Sequence, residues 1–128
     1  MNPKDNFNDD LNKHNEDLIS ALLVDKGIEK HFVRVEEILY FTSDGNYIDI
    51  FTIDNNYTIR MTMKELEGKL PNCFLRVHRS NIINLNKVSC MKQNPNLKIK
   101  MLNNKEVVIS RSNQKIVKAK LSEIEKIS

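Results

Sequence analysis

The sequence lacks several residue types on which other protein classes depend. Its 128 residues include no tryptophan, two cysteines and three glycines. Because Cys73 and Cys90 have no CxxC or Cys/His spacing around them, we expect neither a zinc site nor a disulfide framework. They are predicted to be small buried hydrophobes in a reducing cytoplasm. The few glycines form no phosphate-binding loop, which excludes the common nucleotide-binding classes.

Long hydrophobic runs are also missing. No apolar stretch approaches the roughly 18 residues of a membrane-spanning helix, and the N-terminus has neither the basic start nor the apolar centre of a secretion signal. We therefore expect a cytoplasmic protein without a membrane partner. Its size and its 40% hydrophobic content suit one globular domain whose core needs no metal or disulfide.

Groups that could carry catalysis are scarce. The three histidines, His14, His31 and His78, lack the nucleophile and the orienting carboxylate of a catalytic triad. Glu36 and Glu37 are adjacent, and adjacent residues of a strand point to opposite faces, so they cannot act as a pair. The sequence therefore predicts a protein that is not an enzyme and that has no cofactor and no metal.

Acidic residues are nearly absent from one part of the chain. Residues 1–74 contain 8 Lys and Arg against 14 Asp and Glu, whereas residues 75–120 contain 11 against one, Glu106. This asymmetry favours a polyanion partner, because Lys and Arg that neutralise phosphates gain affinity by releasing condensed counterions. The alternative is a basic face that only keeps the protein in solution.

The order of apolar and turn residues predicts a mostly β fold. Residues 1–18 are rich in Asn, Asp and Lys and are predicted to be a flexible leader, followed by a folded domain over residues 19–126. Short apolar or alternating runs separated by turn residues are typical of antiparallel sheets. Strands are expected at 21–24, 31–35, 38–42, 47–53, 57–61, 74–77, 89–93, 97–101 and 106–109.

Two helices complete the predicted fold, one short and internal, the other C-terminal. Thr62 and Glu65 have the spacing of a capping box, which indicates a helix start, and Pro71 follows the helix end. Its inward face is expected to contain Met63, Leu66 and Leu70. The second helix is expected to begin at Asn113 with Ser112 as its cap. Its inward face is expected to contain Val117, Leu121 and Ile124.

Residues 74–85 hold the most informative set of polar side chains. Arg79 can fork onto guanine O6 and N7, Asn84 can pair with adenine N6 and N7, and Ser80 can bind a phosphate. The segment therefore fits the reading of duplex DNA. Alternatively, His78 and Asn84 satisfy buried backbone groups at a turn.

Residues 107–115 form a second polar segment, in which a buried strand ends in a basic corner at a helix start. Backbone N–H groups at a helix N-terminus favour phosphate, and Arg111 stands beside them. Ser110 or Ser112 could instead serve as the helix cap. The DNA contacts expected from this corner and its helix are Arg111, Ser112, Asn113, Lys115 and Lys118.

Together these segments resemble the LytTR-type DNA-binding domain of bacterial regulators, over residues 19–124. The resemblance is carried, in chain order, by residues 38–41 with 43–47, 63–71, 74–84 with Arg76 to Ser80, and 109–112. It implies a β-β-β architecture in which loops, not a recognition helix, enter successive major grooves from one side of the duplex. It also implies contacts from the loop 44–47, where Asn46 and Tyr47 are the DNA candidates.

The residues and the resemblance together predict a sequence-specific, double-stranded DNA-binding transcription regulator. Arg79 and Arg111 would read base edges. The residues expected to position the DNA backbone are Ser80, Lys87, Lys115 and Lys118. The resemblance further implies two copies on adjacent direct repeats of a promoter. Most family members carry an N-terminal receiver domain, so the chain is expected to be a stand-alone regulator or a piece of a longer protein.

A second hypothesis assigns the same fold a function that does not involve reading DNA. In it the domain is a protein-interaction or inhibitory module that uses an edge strand or the leader to bind another regulator. Single-stranded nucleic acid is a weaker candidate partner, because its binding needs aromatic stacking platforms and aromatic residues make up 6% of this chain. Duplex binding with a steep salt dependence would favour the regulator.

Overall fold

The computed structural model describes residues 18–93 and 95–124, which form ten β-strands and two α-helices. The strands are β1 Ala21–Lys26, β2 Glu29–Arg34, β3 Tyr40–Asp44, β4 Tyr47–Phe51, β5 Asn56–Arg60, β6 Phe74–His78, β7 Asn81–Asn84, β8 Val88–Lys92, β9 Lys98–Met101 and β10 Glu106–Val107. The helices are α1 Met63–Glu67 and α2 Gln114–Ser122. The expected leader, apart from residue 18, and the last two residues of the expected domain lie outside the described residues.

The strands pair antiparallel in three sheets. The largest has five strands in the order β5-β4-β3-β7-β6, and beside it lie the two-stranded hairpin β1-β2 and a three-stranded sheet β10-β9-β8. A mostly β fold with antiparallel sheets, one short internal helix and a C-terminal helix is thereby confirmed. The predicted strands agree with the observed ones to within a few residues, except for β7.

The five-stranded sheet separates two hydrophobic cores. Successive side chains of a strand point to opposite faces, so Phe41 of β3 and Ile82 of β7 pack under the hairpin β1-β2 and α1. Tyr40 and Ile83, their chain neighbours, pack under the three-stranded sheet and α2. We call the hairpin β1-β2 with α1 the first layer, and the three-stranded sheet with α2 the second layer. The cores beneath both layers therefore share β3 and β7.

The capping box at α1 is formed as predicted. The Glu65 N–H donates to Thr62 Oγ1, and the Thr62 N–H donates to Glu65 Oε1, each at 3.1 Å. These bonds satisfy N–H groups that a helix start leaves without partners. Leu70 is buried as expected, although it lies beyond the helix, which ends at Glu67.

Strand β7 was not expected from the sequence. All four of its residues are buried, and it lies between β3 and β6 inside the five-stranded sheet. A strand buried on both faces shows no alternation of apolar and polar residues, and Asn81 and Asn84 enclose only two apolar residues here. The turn before it is confined to residues 79–80.

Three expectations for single side chains are corrected. Helix α2 begins at Gln114, and neither Ser112 nor Asn113 caps it with a side-chain hydrogen bond. Ile124 is 48% exposed, because α2 ends at Ser122, before that side chain could reach the core. Cys90 is exposed on β8, whereas Cys73 is half-buried as a partner of the first core.

Candidate nucleic-acid interface

Two turns of the five-stranded sheet lie side by side at one end of its strands. Strands β3 and β4 are joined by Gly45 and Asn46, with Asp44 paired to Tyr47. The backbone N–H at Ser43 donates to the carbonyl oxygen of Ser80 in the β6–β7 turn at 2.9 Å. This bond places the second turn directly next to the first.

The β3–β4 turn presents Asn46 and Tyr47 to solvent. Gly45 has a φ of 66°, a left-handed conformation that glycine adopts without steric cost. Tyr47 is 48% exposed, and the Arg60 guanidinium carbon lies 5.9 Å from the centre of its ring. A cation at this distance is attracted to the ring face. Arg60, which the sequence did not single out, thus adds a positive charge beside this turn.

The β6–β7 turn is held by side chains on both sides of it. His78 Nδ1 accepts from the Ser80 N–H at 3.0 Å, which confirms the alternative in which His78 satisfies a backbone group. Arg76 donates through one guanidinium nitrogen to the carbonyl oxygen of Arg79 at 2.7 Å and through the other to Glu67 Oε1 at 3.2 Å. The Arg79 side chain is exposed at the tip of this braced turn.

The basic corner after β10 is attached to the two strands that flank the β6–β7 turn. Its Ser110 N–H donates to the Val77 carbonyl oxygen at 2.8 Å. The buried Asn81 donates from Nδ2 to the Val108 carbonyl oxygen at 3.0 Å. These two bonds lay the start of the corner along β6 and β7, so a third polar segment reaches the sheet edge.

Within the corner, the polar groups divide between structure and surface. Asn113 Nδ2 donates to Ser110 Oγ at 2.7 Å, which ties the two ends of the short 3-10 turn Arg111–Asn113. Arg111 and Ser112 are exposed between them. We give the name loop edge to three segments together: the β3–β4 turn at residues 45–46, the β6–β7 turn at residues 79–80, and this corner at residues 110–113.

The predicted site residues occupy three kinds of position. Most are exposed at or next to the loop edge, namely Asn46, Tyr47, Arg79, Arg111, Ser112, Lys115 and Lys118. Two at the edge are half-buried, Ser80 and Asn113. The remaining two lie elsewhere, Asn84 and Lys87.

Asn84 is a core residue whose amide is bonded within the protein. It is 2% exposed, and its Nδ2 donates to the Ile38 carbonyl oxygen at 2.9 Å. Its Oδ1 accepts from the Asn86 N–H at 2.9 Å. Both ends of the amide are therefore used inside the protein, which is the structural alternative that the sequence left open.

Lys87 does not join the other predicted residues. Strand β7 starts next to Ser80 at the loop edge and ends at Asn84, and Lys87 follows in a 3-10 turn at the far end of the sheet. The loop edge and Lys87 thus lie at opposite ends of β7.

The cations at the loop edge are not paired with acids. Across residues 18–93 and 95–124, ion pairs join Lys30 to Asp25, His31 to Glu29 and Arg76 to Glu67. No carboxylate of this part of the chain pairs with Arg79, Arg111, Lys115 or Lys118. The edge therefore offers free guanidinium and ammonium groups to an anionic ligand.

The part of the chain that the structure describes lacks two other kinds of site. It contains no group of three or more His, Cys, Asp and Glu side chains arranged to hold a metal ion. None of its helices has the length and apolar character needed to cross a membrane.

Most of this sequence matches a known protein family. The model of the LytTr DNA-binding domain matches residues 29–122. The chain belongs to the LytTR family. This family is a DNA-binding domain and not a catalytic one, and the matched range contains the whole loop edge. The solved LytTr DNA-binding domain of a Bacillus cereus response regulator has the same fold, with a TM-score of 0.72 at 21% identity over 83% of this chain and 99% of that domain.

Relatives of this LytTR domain occur in several bacterial regulators. A response regulatory protein of Vibrio cholerae is 33% identical over 72 residues, which are 52% of this chain and 28% of that protein. The sensory transduction protein LytT of Bacillus subtilis is 36% identical over 53 residues, 41% of this chain and 22% of that protein. An HTH-type transcriptional regulator of Staphylococcus aureus is 25% identical over 102 residues, 71% of this chain and 68% of that protein. The match thus spans about a quarter of the first two relatives.

Proposed function

We propose that this LytTR domain is a sequence-specific regulator of transcription that reads double-stranded DNA with its loop edge. The observation that carries the proposal is the fusion of three polar segments into one surface by backbone hydrogen bonds, from Ser43 to Ser80 and from Ser110 to Val77. Segments fixed to one another in this way can enter neighbouring grooves of a duplex without first being ordered, which lowers the entropic cost of binding.

The roles of the side chains follow from their exposure and chemistry. Arg79 and Arg111 are exposed forks that can donate two hydrogen bonds to a guanine, so we assign them to base reading. Asn46 and Tyr47 are assigned to the groove that the first turn enters. The groups assigned to phosphates are Ser80, Ser112, Lys115 and Lys118. Asn113 contributes indirectly, because its amide already binds Ser110.

The biological setting is proposed by analogy with the relatives. They are named as response regulatory, sensory transduction and transcriptional regulator proteins, so we infer that this domain acts on promoters in the cytoplasm. Two copies on adjacent direct repeats would double the contacts made by a single domain.

Selection of bound duplexes from a random DNA library tests this proposal. The wild type should enrich a compact motif at moderate salt. Arg79→Ala and Arg111→Ala should each cost about 1–3 kcal/mol on that motif and relax the base preference at different positions. Lys115→Ala should instead weaken all duplexes alike and reduce the salt dependence.

Two outcomes would contradict the proposal. If both arginine variants lose equal affinity for selected and scrambled duplexes, these residues do not read bases. If the wild type enriches no motif and binds no duplex, the protein-interaction module becomes the function to test. Lys30→Ala is the matched control, because Lys30 is exposed but paired with Asp25 on the hairpin β1-β2.

A further inference from the structure

The outer face of the three-stranded sheet carries a second group of cations and one acidic residue, Glu106, which is paired in register with Lys100. In β9, Lys98 and Lys100 alternate with Ile99 and Met101, whose side chains are fully buried in the second core. The lysines therefore lie on the face turned away from that core. None of them belongs to the loop edge, and none is used by the proposed function.

Two of these lysines face each other across neighbouring strands. Lys92 of β8 is paired in register with Lys98 of β9, and both are exposed. Like charges directly opposite each other in an antiparallel pair destabilise the sheet. No ion pair in residues 18–93 or 95–124 involves either lysine. We call Lys92 and Lys98 the lysine pair.

The hairpin β1-β2 contains a similar pair of charged residues across two strands, but with opposite charges. Asp25 and Lys30 are also paired in register, and Lys30 Nζ lies 2.7 Å from Asp25 Oδ1. There, opposite charges across the strands satisfy each other. At the lysine pair no opposite charge forms such an ion pair, so the repulsion between the two ammonium groups remains.

The lysine pair lies at the end of its sheet that adjoins the loop edge. Ile99, next to Lys98, is paired with Val107, and the chain runs directly from Val107 into the corner. The Leu97 N–H donates to Gln114 Oε1 at the start of α2, at 3.4 Å. A groove of about 240 Å³ continues this junction, and its lining includes Lys115 and Lys118. The end of the sheet that carries the lysine pair is thus next to the start of α2.

We propose that the lysine pair binds phosphates of the same duplex, flanking the bases that the corner reads. This inference rests on the proposed function and extends its footprint. A duplex presents phosphates at regular spacing and with high charge density, so two adjacent cations without an acidic partner gain by displacing its counterions. No base reading is assigned to these lysines, because an ammonium on an exposed strand face provides charge without fixed geometry.

The test compares the Lys92→Gln/Lys98→Gln variant with wild type on the duplex that wild type selects. Loss of two phosphate contacts should reduce the slope of log K against log salt by about 1.8 and lower the affinity at about 0.1 M salt. The loss should be equal on a scrambled duplex of the same length. It should disappear when the flank on the corner side is removed from the duplex. Lys30→Gln should change none of these values.

A second readout needs no DNA. Because the variant removes a like-charge pair, its Tm at low salt should be higher than that of wild type, and the difference should shrink as salt is added. Lys30→Gln, which breaks an opposite-charge pair, should not raise the Tm.

The outcomes separate this inference from the proposed function. An unchanged salt slope in the double variant, with Arg79→Ala and Arg111→Ala still relaxing the motif, would overturn the lysine pair alone. Absence of duplex binding by the wild type would overturn both. Loss of affinity on the selected duplex only would also overturn the phosphate role, since phosphate contacts do not depend on sequence.

Discussion

The two faces of the five-stranded sheet use their charged side chains differently. On the face covered by the hairpin β1-β2 and α1, Lys30 pairs with Asp25, and the Glu65 carboxylate binds the backbone and hydroxyl of Thr62. On the face covered by the three-stranded sheet and α2, no lysine or arginine among the described residues after Arg76 has a carboxylate within ion-pair distance. All three ion pairs of the described residues thus involve the first layer, and none involves a cation of the second.

The net charge of a sequence segment is therefore a poor guide to the position of a binding surface. Lys87 belongs to the basic part of the sequence but lies at the far end of the sheet, whereas Arg60 belongs to the acidic part and lies beside Tyr47 at the loop edge. The useful signal is a cation that has no acidic partner and lies at the correct end of the sheet.

The largest expected effect concerns the strand that both layers share. Ile82→Ala and Ile83→Ala remove side chains from opposite cores, and each should lower the free energy of unfolding by about 2–5 kcal/mol. Because both residues lie in β7, we expect each variant to unfold in one transition. Urea titrations followed by circular dichroism and by tyrosine fluorescence check this. Two separate transitions in either variant would show that the two layers fold independently.

The next effect concerns Arg76, which joins α1 to the β6–β7 turn. Arg76→Gln removes the hydrogen bond to the Arg79 carbonyl, so the tip of the β6–β7 turn loses its support and specific DNA affinity should fall by about 1 kcal/mol. The ion pair itself contributes little, since both side chains are partly exposed. Binding to selected and scrambled duplexes is the measurement.

Glu67→Gln is the matched control for this variant. It weakens the ion pair and leaves the hydrogen bond to the turn, so its loss of specific affinity should be smaller than that of Arg76→Gln. Equal losses would show that the charge of Arg76 acts, and not its support of the turn.

A comparable effect on stability alone is expected at the start of α1. Thr62→Ala removes the cap and should cost about 1 kcal/mol of unfolding free energy with DNA affinity unchanged. The hydrogen bonds from Thr62 lower the pKa of Glu65. A lowered pKa in the folded state contributes stability above the unfolded-state value and loses it as pH falls through the folded-state value. The variant keeps the Thr62 N–H, the larger cause of the lowered pKa, and removes only the hydroxyl's part. It should therefore lose slightly less stability than wild type on acidification, as thermal melts at neutral and acidic pH would show.

The smallest effect distinguishes the two thiols. Burial raises the pKa of Cys73, whereas Cys90 is exposed on β8. The thiolate is the reactive form, so an alkylating reagent near neutral pH should label Cys90 before Cys73. Mass spectrometry of timed samples gives the order, and faster labelling of Cys73 would contradict the burial described here.

Features of the fold that depend on residues close together in the sequence were predicted from the sequence. The capping box needs residues three apart, and the β3–β4 turn needs left-handed backbone at Gly45. The exposed arginines of the loop edge were likewise found from their chemistry and their neighbours.

The remaining features depend on residues distant in sequence. The amide of Asn84 bonds 46 residues back to Ile38, and that of Asn81 bonds 27 residues ahead to Val108. An asparagine that supports the core and one that reads adenine have the same side chain, so only the strand pairing separates them. Arg76 was missed for the same reason, because its partner Glu67 lies in a different element.

Hydrogen exchange with and without the selected duplex tests the central claim most directly. If the loop edge reads DNA, amides at 45–47, 79–81 and 110–115 should become protected on binding, while those of the hairpin β1-β2 and of α1 should not change. Protection centred on residues 21–34, with the loop edge unaffected, would contradict this account.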